Sequence, residues 1–173
     1  KGIISPDRDN LNHEKKKILA YTNRHNRNGD LRDALRDADV FIGVSKGNLL
    51  NGDDIKLMNE APIILAMANP IPEIMPDEAK AAGASVVGTG RSDFPNQVNN
   101  VLAFPGIFRG ALEARATRIT EAMKIAAAHA LANAVNHISA DHVLPDPLNR
   151  NVAQKVAEAV REQAIKDNVQ RPL

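Results

Sequence analysis

The sequence contains no cysteine and no tryptophan, a single tyrosine and only four phenylalanines. The first absence excludes a disulfide scaffold and any zinc site built on thiolates. The shortage of aromatic rings leaves little on which nucleic-acid bases could stack. Charge of one sign is lacking too: 22 basic and 21 acidic side chains leave a net charge of +1. That balance gives little long-range attraction for nucleic acid or an anionic membrane. No apolar run approaches the ~20 residues that cross a bilayer; the longest candidates are residues 62–68 and 125–135. No basic-then-apolar leader is visible, so the expected compartment is cytoplasmic. What remains is ordinary for a folded chain, with 43% hydrophobic and 25% charged residues among 173. Such a length suits one domain that buries about 70% of its unfolded surface. The chain opens on Lys1 rather than Met, so it is expected to be a processed product or part of something longer.

Apolar spacing sets the organisation. Lys1–Ile4 reads as the end of a strand and His13–Ala20 as a short helix with a basic run at Lys15, Lys16 and Lys17. Asp30 is a good N-cap for a helix carrying Leu31, Ala34 and Leu35. Val40–Val44, Ile63–Ala68 and Ser85–Gly88 read as buried strands, separated by short helices at 53–58 and 77–82. Pro76 suits the first turn of the second of these helices, and Gly83 its end. Strands alternating with helices over short links predict a parallel sheet with helices on its faces. From Asn96 the pattern turns helical. A stripe of Val98, Val101 and Leu102 is expected to close at Pro105-Gly106. A long helix is expected over 119–138, and a last one from Val152 to Ala164.

Ligands of open parallel sheets bind at the carboxyl ends of the strands. Here those ends are Gly43–Gly47, Asn69-Pro70 and Gly88–Asp93, all rich in small or polar residues. Four carboxamides crowd into Asn96, Gln97, Asn99 and Asn100. They suit either helix caps or a neutral donor cluster that orients a small carboxylate. Other signals are missing. Gly88-Thr89-Gly90 has no third glycine at the phosphate-binding spacing, and His129, His137 and His142 do not make a metal motif. Glu73, Asp77 and Asp93 stand near strand ends without a visible point of convergence. The residues alone thus describe half of a nucleotide-binding α/β domain.

Three strings carry a resemblance: GDLRDALRDADVFIGVS (29–45), AMANPIPEI (66–74) and GTGRSDFPNQVNNVLAFPGIFRGAL (88–112). With MKIAAAHALA (123–132) they resemble the cofactor-binding domain of malic enzymes of the bacterial type. The resemblance implies an incomplete Rossmann-like, doubly wound α/β fold with C-terminal helices. It covers 1–173, with the first βαβ half missing and 106–173 mainly helical. The implied activity is oxidative decarboxylation of malate to pyruvate and carbon dioxide with NAD or NADP, assisted by Mg or Mn. The implied partners are malate, pyruvate and a second copy of the complete enzyme. By resemblance, Gly43, Val44 and Ser45 lie along the adenosine side of the cofactor. Asn69 and Asn99 face the nicotinamide ribose, and Asn69, Asn99 and Asn100 face malate. Arg91 and Asp93 would shape their loop.

The resemblance also implies what these residues do not include. The family's catalytic tyrosine and lysine, its acidic metal ligands and its glycine-rich turn would all lie upstream, so no catalytic or metal role is transferred to this chain, Tyr21 included. An interior sheet edge would then be open, and the isolated chain is expected to be inactive, to bind cofactor weakly and to aggregate. Two alternatives stand beside this reading. One is a non-catalytic module that binds nucleotide or pairs with another subunit. The other is a different Rossmann-type dehydrogenase, against which the NPIPEI and NQVNNVLAFPG strings argue.

Overall fold

The computed structural model describes residues 2–172. The first structured unit is built on a parallel three-stranded sheet. Helices α1 (His13–Ile18) and α2 (Leu31–Leu35) precede strand β1 (Val40–Gly43). Helix α3 (Gly52–Ile55) leads to β2 (Ile63–Ala66), and α4 (Pro76–Ala81) leads to β3 (Val86–Thr89). The strands lie side by side in chain order, with Phe41 opposite Ile64 and Ile64 opposite Val87. This register puts those three on one face, where they pack with Leu35, Ile55, Ile74 and Ala79. The other face carries Val40, Ile42 and Ile63, of which Ile42 is 64% exposed.

Local chemistry starts each of these helices. Asp30 accepts from the Arg32 and Asp33 N–H groups while Asp33 answers the Asp30 N–H, a reciprocal cap. Asn51 and Asp54 do the same for α3. Asp54 is buried, and the Arg32 guanidinium joins it at 2.7 Å, tying α2 to α3. Pro76 occupies the first turn of α4, where a missing N–H costs nothing.

The second unit is helical. A 3₁₀ turn (Asn100–Leu102) leads into α5 (Phe104–Glu113), followed by α6 (Glu121–Ala132) and α7 (Arg150–Lys166). Its core is Met123, Ala127, Val156, Val160, Ala164 and Val169. The helices α5 and α7 approach closely because α5 presents glycine. A Cβ on Gly106 would stand 2.6 Å from Val156 Cβ, and one on Gly110 would stand 2.3 Å from the Ala157 carbonyl oxygen.

Several expectations are corrected. Lys1 lies outside the described residues. Gly2–Ile4 form no strand; the Ile3 N–H donates instead to the Gly29 carbonyl at 2.9 Å. The helix expected over 53–58 is a single turn ending at Ile55, and Asp54 turns inward to Arg32. Pro105-Gly106 does not close a helix but opens one, because α5 needs glycine against α7 and proline is tolerated in a first turn. Val98 is not helical; its N–H donates to the Thr89 carbonyl at 2.7 Å. The long helix stops at Asn133, and Ile138, 77% exposed, lies beyond it with no core to pack on. No helix among the described residues is long and apolar enough to cross a membrane.

Candidate functional site

The parallel register aligns the carboxyl ends of the strands: Gly43 lies opposite Ala66, and Ala66 opposite Thr89. The Met67 N–H continues the ladder to the Gly43 carbonyl at 2.9 Å. Three loops therefore leave one edge of the sheet. The first carries Val44 and Ser45, the second Asn69, the third Arg91 to Asn100. Val44, Ser45, Asn69, Asn99 and Asn100 are all exposed. Gly43 is buried, and the space a Cβ would need there is taken by the Glu73 carboxyl and the Phe41 ring.

The third loop is brought back to the sheet rather than away from it. Gln97 bridges to Thr89 in parallel sense, and the Val98 N–H donates to the Thr89 carbonyl. Asn99 and Asn100 therefore follow directly after a segment, Gln97-Val98, that is held beside the end of β3. The Asn99 side-chain oxygen accepts from the Val101 N–H at 3.1 Å, which commits it to capping the 3₁₀ turn. At the near end of the same loop, Arg91 grips both Asp93 oxygens at 2.8 and 2.6 Å and lies over the Phe94 ring. The guanidinium beside Asp93 holds its carboxyl below the usual carboxylate range.

The four carboxamides are thus divided. Asn96 is 6% exposed and wholly engaged. Its Nδ2 donates to the Val87 carbonyl at 3.1 Å and the Ala140 carbonyl at 2.8 Å, and its Oδ1 accepts from the Val143 N–H at 2.8 Å. It joins β3 to the segment between α6 and α7 and so anchors the loop that bears Asn99. The Lys80–Asp141 ion pair, at 2.6 Å, adds a second tie between the two units.

Of the three acids near strand ends, one turns inward. Glu73 is completely buried; Oε1 accepts from the Ser45 N–H at 2.7 Å and Oε2 from the Ala68 N–H at 3.0 Å. Asp77 is exposed in the first turn of α4, and Asp93 is held by Arg91. Sequence reasoning missed both Glu73 and Asn96 as organisers of the edge. The one local signal for Asn96 was its residue type, since it adopts φ 54°, a conformation that asparagine tolerates better than most residues. Among the described residues, no group of three His, Asp or Glu side chains is placed to hold a metal ion.

Comparison with known proteins agrees with this geometry. The family described as malic enzyme, NAD binding domain, matches residues 1–165. A bifunctional malic/malolactic enzyme of Bacillus subtilis is 55% identical over 174 residues, covering 99% of this chain and 42% of the relative. An NADP-dependent malic enzyme of Halomonas elongata is 39% identical over 188 residues, covering 99% of this chain and 44% of the relative. The crystal structure of an NAD-dependent malic enzyme from Thermotoga maritima superposes with a TM-score of 0.87 at 44% identity, over 92% of this chain and 42% of that one. The chain spans about two fifths of the length of these curated relatives. Matched by that family over residues 1–165 and sharing more than half its residues with one curated relative over nearly its whole length, the chain belongs to the malic enzyme family, as part of the NAD-binding domain.

Proposed function

We propose that residues 1–173 are a partial NAD(P)-binding domain of an enzyme that converts malate to pyruvate and carbon dioxide while reducing NAD or NADP. In this reading residues 106–173 form the helical share of the domain. The observation that carries it is the return of the third loop to β3 at Thr89, which brings the segment leading into Asn99 and Asn100 to the same end of the sheet as the loop bearing Asn69. Three neutral amides at one sheet edge suit a hydroxy-dicarboxylate. They donate to carboxylate and hydroxyl oxygens without adding charge near the reacting carbon.

The roles follow the loops. Ser45 and the exposed Val44, with the backbone at Gly43, take the adenosine side of the dinucleotide. Asn69 and Asn99 hold the nicotinamide ribose, and Asn69, Asn99 and Asn100 orient malate. NAD or NADP, when bound, supplies the hydride acceptor. The chain's own contribution is to bring that acceptor and malate C2 into fixed proximity, a positioning effect. The described residues do not fit a magnesium or manganese site. A homodimer in the cytoplasm completes the proposal.

The test is malate-dependent formation of reduced cofactor by the full-length protein that carries this chain. Replacing Asn99 or Asn69 by alanine is expected to lower kcat/KM by about a hundredfold. Absence of malate-dependent reduction in the native protein overturns the reading. A second reading, a module that pairs with another subunit, is favoured by the apolar Val40 and Ile42 on β1, which among the described strands pairs only with β2. It predicts a stable complex with an intact malic enzyme and no turnover of its own.

A further inference from the structure

Glu73 is a carboxylate in a place where side chains are otherwise apolar. It is completely buried, it precedes the core residue Ile74 in the chain, and its carboxyl and the Phe41 ring both border the space beside Gly43. A charged group is rarely buried without partners, because desolvation is costly. Its partners here are two backbone N–H groups from different loops. Oε1 takes Ser45, in the loop leaving β1, and Oε2 takes Ala68, next to Asn69 in the loop leaving β2. The backbone around Glu73 is tied to the first loop as well. The Leu50 N–H donates to the Glu73 carbonyl at 2.9 Å, and the Asn48 N–H to the Pro72 carbonyl at 3.0 Å. Gly43 leaves the space: a Cβ there would stand 2.5 Å from the Glu73 carboxyl carbon.

We propose that Glu73 is the positioning residue of the cofactor cleft. One carboxylate, with one oxygen for each loop, sets the separation between Ser45 and Asn69. The two loops are thereby ordered before any ligand arrives. The inference rests on reading this sheet edge as a dinucleotide site. It assigns Glu73 no contact with cofactor or substrate; it acts through Ser45 and Asn69. Loop order achieved before binding is expressed as cofactor affinity, because binding then costs less conformational entropy.

The test uses Glu73→Gln in the full-length protein that carries this chain. Glutamine keeps the shape but turns one acceptor into a donor facing an N–H. The expected result is a KM for NAD or NADP raised about tenfold or more, with kcat changed less than about threefold. A purely structural role predicts no such split. The comparison is Ile64→Val, which thins the same core and is expected to lower Tm while leaving the cofactor KM unchanged. An unchanged cofactor KM in folded Glu73→Gln overturns the proposal. Should that variant not fold, amide exchange in the native protein without ligand decides. Slow exchange at Ser45 and Ala68 supports the clamp, and free exchange overturns it. A native protein that reduces neither cofactor overturns the reading of the edge, and the positioning role falls with it. That result is distinct from an unchanged KM in the variant alone.

Discussion

The sheet unit and the helical unit reach stability by different means. In the sheet unit, branched and aromatic side chains from three strands pack against short capped helices, while the opposite face stays exposed at Val40, Ile42 and Ile63. In the helical unit, small residues dominate: Gly106, Gly110, Ala127, Ala157 and Ala164 let three helices come close around Met123, Val156 and Val160. The sheet unit supplies two of the three loops at the site. The helical unit serves the third indirectly, because the segment joining α6 to α7 holds Asn96. The difference teaches that the site depends on a seam as much as on either core. Asn99 and Asn100 are placed by the strand they follow and by the helices they precede.

The largest effect on this comparison is expected from Gly110→Val. Its Cβ would press on the Ala157 carbonyl at 2.3 Å and on Val160 at 2.9 Å, forcing α5 off α7. A loss of about 3 kcal/mol or more is expected for such overpacking against backbone. Denaturant unfolding followed separately at the two units should show the helical unit melting first. A single coincident transition would mean the two units are one cooperative block.

Asn96→Ala comes next. It strands the Val143 N–H and removes both donors to the Val87 and Ala140 carbonyls, at an expected cost of about 2 kcal/mol. It should also loosen the third loop, seen as faster amide exchange at Val98 than at Met67. Equal protection at both amides would show that β3 holds the loop without Asn96.

Asp30→Ala removes the cap of α2 and should cost about 1 kcal/mol, confined to the sheet unit. An effect of the same size on the helical unit would contradict the division drawn here.

The smallest difference between the two units is expected in acid. The Asp33 and Arg32 N–H groups hold Asp30 below its ordinary value, and the Thr120 hydroxyl and the Gln163 amide do the same for Asp167 in the helical unit. A carboxyl depressed on folding stabilises the native state at every pH above its unfolded value, about 4. That contribution disappears as pH falls through the lower folded value. Stability followed by Tm should therefore be flat from neutrality to about pH 5 and decline below about pH 4. Both units carry such a group, so their transitions should move together.

Much of the sheet unit was legible. The positions of β1, β2 and β3 were read to within a residue or two because short apolar runs bounded by Gly, Pro and Asn leave few alternatives, and Asp30 announced its helix, whereas the strand end expected at Lys1–Ile4 was not found among the described residues. The helical unit was read less well. Pro105-Gly106 looks like a stop when only neighbours along the chain are considered, yet glycine there answers Val156, fifty residues away. The end of α6 at Asn133 was hidden for the same reason: its alanine-rich pattern continues, but the core it faces does not.

The site divides along the same line. Strand alternation, the parallel order and the three polar loops followed from the amino-acid sequence, because periodicity and turn chemistry are local properties of the chain. Glu73 and Asn96 did not. Whether a glutamate near a strand end points to solvent or joins two backbone amides depends on a partner 28 residues earlier. Whether an asparagine caps a helix or ties two units depends on partners 44 and 47 residues later. The sequence by itself determined which loops gather at the sheet edge. Only the tertiary structure decided how they are held there, because hydrogen bonds between distant segments exist only once the chain has folded.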